Sequence, residues 1–272
     1  MKSLFFRTIS VTFFLASFSG AALVDDHIHG GDSHLPRPVV VEYSDVESLA
    51  SGNDDVRLWC ESWRFAGEAN NLGPWTTVPV ECVSYVKTYM TGKRYAFDLE
   101  MVSREASRFA RSIQMRTDGM DAWVFDIDET LLSNLPYYAE HKYGLEIFNH
   151  GLFDKWVEKA VAPPIESSLK LYEEILGYGF KVFLLTGRSE AHRSITVDNL
   201  NRAGFRDWER LILRSLDDRK KSATIYKSEK RDELVGEGYR LHGNSGDQWS
   251  DLVGSSTSNR SFKLPNSMYY IP

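Results

Sequence analysis

Past residue 93, apolar positions fall into two alternating rhythms. Over residues 94–116, Leu99, Val102, Ala106, Phe109, Ala110 and Ile113 recur at helical spacing with charges between them, which predicts an amphipathic helix. Ala122–Phe125 is a short apolar run that ends in acidic residues, the pattern of a strand buried on both faces. Ile165–Leu176 reads as a helix with Leu169, Tyr172, Ile175 and Leu176 on one face, stopped by Gly177 and Gly179. Lys181–Leu185 is a second strand, and residues 190–203 are an amphipathic helix closed by Gly204. Leu211–Leu213 and Tyr239–His242 are a third and a fourth strand. Near-continuous apolar strands alternating with helices predict a three-layer α/β fold, a parallel sheet covered on both faces. In such sheets ligands gather at the carboxyl ends of the strands, so motifs at those ends carry extra weight.

Upstream the pattern changes. Lys2 and Arg7 precede an apolar run from Ile9 to Phe18, followed by Ser19, Gly20, Ala21 and Ala22. That layout predicts a signal peptide over residues 1–22, and the run is short for a bilayer span. No later segment reaches the ~20 apolar residues of a span, so no membrane association is expected after cleavage. Residues 23–93 read as an irregular, disulfide-bearing segment. Its first part, to about residue 45, is rich in His, Asp, Gly and Pro, and His27, His29 and His34 there read as a solvated arm rather than a metal site. Residues 94–272 form the main domain.

Composition narrows the function classes. The 272 residues are 42% hydrophobic, enough for one full α/β core with a small appendage. A formal net charge of -6 leaves no basic footprint for nucleic acid. The two cysteines, Cys60 and Cys82, flank a turn-rich stretch containing Asn70, Asn71, Gly73 and Pro74. In an oxidising compartment such a pair is expected to be bridged. Asn259-Arg260-Ser261 is a sequon and makes Asn259 a candidate glycosylation site.

Four short motifs carry the candidate chemistry. Asp126-Ile127-Asp128-Glu129-Thr130 directly follows the first strand. Its paired carboxylates suit a nucleophile and a proton-transfer group, although such a pair alone is also a common acidic turn. Leu184-Leu185-Thr186-Gly187-Arg188 ends the next strand, where a hydroxyl and free N–H groups can hold phosphate oxygens and Gly187 permits close approach. Lys227, in Tyr226-Lys227-Ser228, stands before a predicted helix. Gly243-Asn244-Ser245-Gly246-Asp247-Gln248-Trp249-Ser250-Asp251 reads as a glycine-bracketed turn with two acids four apart, hard oxygen ligands of the kind Mg²⁺ prefers. Each motif is weak alone; their order and their places after strands are specific.

In that order the motifs resemble the four motifs of the haloacid dehalogenase superfamily. More narrowly, Leu131-Leu-Ser-Asn-Leu-Pro-Tyr-Tyr138 and the ending Lys263-Leu-Pro-Asn-Ser-Met-Tyr-Tyr-Ile-Pro272 resemble the plant acid phosphatase and vegetative storage protein family, class B-like acid phosphatases. The resemblance implies a Rossmann-like parallel sheet with a small helical cap over residues 131–163 and an N-terminal helical extension. It implies a phosphatase in which Asp126 accepts the phosphoryl group and Asp128 is the acid, then the base. Thr186, Gly187 and Lys227 would bind phosphate oxygens. Mg²⁺ would be held by Asp126, the carbonyl of Asp128 and Asp247, with Asp251 in support. The expected partner is a small phosphate monoester, in a secreted protein of the cell wall or vacuole, and the resemblance is compatible with a homodimer. The rival reading is a storage protein with residual activity; a phosphotransferase or a phosphate-binding protein without turnover would use the same residues. In the cap, Tyr137, Tyr138, His141, Tyr143, Phe148, Phe153 and Trp156 are expected mainly to pack the cap onto the domain, with stacking on a leaving group as the alternative.

Overall fold

The computed structural model describes residues 52–272. The predicted signal peptide, the expected irregular arm and its three histidines lie outside these residues.

Residues 53–112 form three helices: α1 (Asn53–Glu68), α2 (Val83–Met90) and α3 (Lys93–Ser112). A disulfide between Cys60 and Cys82, with Cα atoms 5.3 Å apart, ties α1 to the short turn that leads into α2. The described part of the segment read as irregular is therefore largely helical. Helix α3 stops at Ser112, four residues before the predicted end, where Ile113 turns extended.

The sheet begins with β1 (Asp121–Phe125), and all five residues of that strand are buried. Ala122 and Val124 point to one face, Trp123 and Phe125 to the other, as the two-residue period of a strand requires. On the second face Trp123 meets Phe109 of α3, and Phe125 meets Tyr172 of α6 (Glu166–Gly177). On the first face Val124 joins Phe183, Leu185, Tyr226 and Leu234, the last two from α8 (Ala223–Gly236). Burial on both faces is why the strand reads as an unbroken apolar run.

The remaining strands are β2 (Lys181–Ser189), β3 (Arg210–Arg214), β4 (Arg240–Gly246) and β5 (Arg260–Lys263). They lie in the order β3-β2-β1-β4-β5 and every pair is parallel. Helix α7 (Arg193–Arg202) links β2 to β3, and the short α9 (Trp249–Leu252) follows β4. The chain winds outward from β1 to β3 and then returns to the far side of β1. The order thus reverses between β1 and β4, which is where ligands bind in open sheets of this kind.

Two strands run further than expected. β2 includes Thr186 and Gly187, and β4 continues through the glycine-bracketed stretch read as a turn. The glycines serve packing: a Cβ on Gly243 would come within 2.4 Å of the Trp123 ring, and one on Gly246 within 2.5 Å of Asp251. β5 has no counterpart among the predicted strands. Lys227 lies inside α8 rather than before a helix.

Residues 126–165 form an excursion between β1 and α6. Its two ends are zipped together: Ser133 N–H donates to Pro163 O and Ile165 N–H to Leu131 O. Within it stand α4 (Leu135–Glu140) and α5 (His150–Val157). Tyr137 packs against Tyr138, Phe153 and Trp156, so most of these rings fill the interior of the excursion. His141 is engaged by Glu146 at 2.9 Å.

Candidate active site

The pairing register brings the motifs together. Phe125 is opposite Leu184 on one side and Ser245 on the other. Asp126, just past β1, Thr186, within β2, and Asp247, just past β4, therefore lie within two residues of one another in register. Asp126 N–H continues the ladder by donating to Ser245 O at 2.9 Å.

Asp126, Asp247 and Asp251 each offer a carboxylate oxygen within 4.8 Å of the others, and all three are buried. Lys227 reaches this cluster from α8. Its Nζ lies 2.5 Å from Asp126 Oδ1 and also contacts Asp251 Oδ1. Three carboxylates and one ammonium leave a net negative pocket with little water to screen it. Burial pushes the Asp126 carboxyl well above its usual range; Lys227 resists this, while Asp251, Asp247 and Asp128 reinforce it. Burial and the Asp251 charge push Asp247 up to about 7, against the pull of hydrogen bonds from Asn266 and Gln248. Burial would lower Lys227, but Asp126 and Asp251 hold it above its ordinary value. Carboxylates that cannot all remain ionised in their own company, built from hard oxygen donors, fit a divalent cation.

Asp128 lies outside this cluster. Its carboxylate takes a two-pronged contact from Arg188, with Nη2 2.8 Å from Oδ1 and Nε 3.0 Å from Oδ2. Thr186 Oγ1 lies 3.4 Å from Asp128 Oδ2 and accepts from Arg188 N–H at 3.1 Å. Burial works to raise the Asp128 carboxyl, yet Arg188 with help from Asn134 brings it below the usual range. The two acids are thus pushed apart: Asp126 upward by burial with the neighbouring carboxylates behind it, Asp128 downward by a guanidinium. A Cβ on Gly187 would meet nothing within 4 Å, so packing does not require a glycine there.

Several supporting residues have no role in the sequence reading. Arg188 stands in the quoted Thr-Gly-Arg run, and its place beside Thr186 was the available signal. Glu129 is fully buried with φ of 53°, a backbone region unusual for a residue with a side chain. It accepts from Tyr95 Oη at 2.9 Å, Ser133 Oγ at 3.2 Å and the Asn134 N–H, which fixes the loop that carries Asp128. Arg231, also fully buried, donates to the carbonyls of Asp251 (2.6 Å) and Val253 (2.5 Å). It lies one helical turn beyond Lys227, so a single face of α8 holds Asp251 by both its carboxylate and its carbonyl. Asn259 is exposed at the start of β5, with Nδ2 3.2 Å from His242 Nδ1.

Comparison with known proteins agrees with this geometry. The family model for the HAD superfamily, subfamily IIIB (acid phosphatase), matches residues 46–272. Acid phosphatase 1 of Solanum lycopersicum is 58% identical over 241 residues, covering 88% of this chain and 92% of that protein. Vegetative storage protein 1 of Arabidopsis thaliana is 39% identical over 215 residues, covering 78% and 79%. The class C acid phosphatase from Bacillus anthracis superposes with a TM-score of 0.58 at 23% identity, over 68% of this chain and 83% of that one, a likeness of fold. With its ordered motifs at the carboxyl ends of a parallel sheet and a family match that spans all the described residues, the chain belongs to the acid phosphatases of HAD subfamily IIIB.

Proposed function

We propose that this chain is a secreted hydrolase of small phosphate monoesters that works through an aspartyl-phosphate on Asp126 with Mg²⁺. The observation that carries the reading is the buried cluster of Asp126, Asp247 and Asp251 with Lys227 among them. Asp126, Asp247 and the carbonyl of Asp128 would hold the ion, with Asp251 in support. Mg²⁺, when bound, supplies the positive charge that offsets repulsion between a carboxylate and a phosphate dianion.

The residues divide the work. Asp126 attacks phosphorus; the P–O bond to the leaving group breaks as Asp128 gives that oxygen its proton. Asp128 then takes a proton from water, which attacks phosphorus and frees Asp126 and phosphate. Splitting one displacement into two lowers each barrier. Thr186 and Lys227 hold the phosphoryl oxygens, with the open space at Gly187 available for close approach. The predicted signal peptide and the bridged cysteines support secretion, to cell wall or vacuole. The presence of Asp126, Asp128 and Lys227 supports turnover, although the similarity to a vegetative storage protein favours a second role in storage. Turnover number separates the two readings.

Asp126→Asn tests the proposal. It removes the attacking charge at nearly constant shape, and turnover of a simple aryl phosphate should fall at least ~10⁴-fold with the circular dichroism spectrum unchanged. A folded variant with substantial activity would remove Asp126 from the nucleophile's role.

A further inference from the structure

The residues that close the sequence, Leu264–Pro272, run past the acid motif. Asp247 accepts from two carboxamides on the same oxygen: Asn266 Nδ2 and Gln248 Nε2 each lie 2.7 Å from Oδ2. Asn266 is only 6% exposed and all its hydrogen-bonding groups but the carbonyl are in use. Its Oδ1 accepts from Met268 N–H at 2.9 Å, and its own N–H donates to Glu68 Oε1 at 2.8 Å. Glu68 Oε2 in turn pairs with Lys263 Nζ at 2.7 Å, and Glu68 O accepts from Trp249 Nε1 at 2.9 Å. Gln248 is held from the same side, its Oε1 accepting from Ile271 N–H at 2.9 Å.

We propose that residues 264–272 are a structural strap of the metal site, in which Asn266, anchored through Glu68 of α1, is a positioning residue that turns Asp247 toward the cation. The inference rests on the metal reading above and adds to it the means by which one ligand is aimed. A carboxylate that spends Oδ2 on two N–H donors has its plane fixed and Oδ1 left for an ion. The donors are neutral, and this matters. Among the described residues, Asp126 and Asp251 each bond the Lys227 ammonium, whereas no cationic side chain bonds Asp247. Asp247 thus has no cationic side chain competing with an incoming cation, while its direction is set by amides. Partners of this kind, one bond removed from a metal, typically govern affinity by 10–100-fold.

Asn266→Ser tests the strap. Serine can still accept from the Met268 N–H but is too short to reach Asp247. Mg²⁺ binding to the full chain, measured by calorimetry without substrate, should weaken ~10–100-fold. At saturating Mg²⁺, KM for a phosphate monoester should stay within about threefold of the parent value, because Asn266 does not touch substrate. Parent-like Mg²⁺ affinity in folded N266S overturns the strap and leaves the metal reading standing. An unmodified chain that binds no Mg²⁺ overturns both. A second measurement needs no variant: the side-chain amide resonance of Asn266 in the unmodified chain should shift on addition of Mg²⁺, and a signal unmoved at saturating Mg²⁺ would also overturn the role.

Discussion

On the proposed mechanism, the contact between Arg188 and Asp128 would decide which acid does which job. A guanidinium holding both carboxylate oxygens at 2.8 and 3.0 Å fixes the direction in which Asp128 can pass a proton. Lysine at that position keeps the charge and loses the fork. Arg188→Lys should therefore lower kcat by ~10–100-fold while leaving Mg²⁺ affinity unchanged, read by steady-state kinetics across pH. With the fork gone the Asp128 carboxyl rises, the proton donor stays loaded to higher pH, and the alkaline limb of kcat should move upward. An unmoved limb would show that Arg188 does not act through Asp128. Asp126 and Thr186 were legible in the sequence because each stands just beyond an apolar run, and strand ends are where the sheet gathers ligands; Asp128 and Asp247 were legible by the spacing of acids in their motifs. Glu129 was not legible. In the string Asp-Ile-Asp-Glu-Thr it reads as one more turn acid, and its burial depends on a tyrosine 34 residues upstream.

Among the elements, a helix of one turn sets the second acid of its motif. α9 is only Trp249–Leu252, and it is closed by a reciprocal cap: Gln248 N–H donates to Asp251 Oδ2 at 2.9 Å, while the Gln248 side chain accepts in return from the Asp251 backbone. Asp251 spends its other oxygen on Lys227. Both oxygens are therefore committed to structure, whereas Asp247 is held on one oxygen only. Asp247→Ala should cost more activity than Asp251→Ala, and Asp251→Ala should cost more stability, on the order of 1 kcal/mol or more from the lost cap. Activity assays beside thermal melts check both halves, and the reverse order in activity would exchange the two ligand roles. Chelation should abolish turnover in the parent, with recovery on adding Mg²⁺. The short apolar runs and the helical spacing foretold β1, β2, β3, α6 and α7, although the buried face of α7 is Thr196, Asn199 and Leu200 rather than purely apolar. β4 was foretold only in part: its second half is glycine, asparagine and serine, shaped by the Trp123 ring and by Asp251 rather than by its own hydrophobicity.

At the scale of the whole molecule, the segment before the sheet is joined to the site by covalent and polar ties that no local pattern announces. The Cys60–Cys82 bridge closes a separation of 22 residues, and α1 ends at Glu68, which holds the strap beside Asp247. Replacing both cysteines with serine should lower stability by ~3 kcal/mol, read as a reduced melting temperature. The far end of the sheet carries a different tie. Asp121 accepts from Arg240 Nε at 2.8 Å, from Arg116 N–H at 2.7 Å and contacts His242 at 2.7 Å. The Arg240 hydrogen bond, opposed by burial and aided by Arg116 and His242, holds the carboxyl far below its usual range. Its folded value lies below its unfolded one, so its contribution is complete above the ordinary carboxylate range and declines as pH falls through that range toward the folded value. Asp121→Asn should accordingly destabilise the protein at pH 6 and cost progressively less below about pH 4, followed by denaturant melts across pH. A cost independent of pH would mean that shape, not charge, is what Asp121 contributes. The central claim is the phosphoryl group on Asp126, and the most direct measurement traps it. The chain is quenched during turnover, reduced with borohydride, which converts an acyl phosphate to homoserine, and digested for mass spectrometry. The account predicts homoserine at position 126 and none at 128, 247 or 251. Sustained phosphate release with position 126 recovered only as aspartate would contradict it.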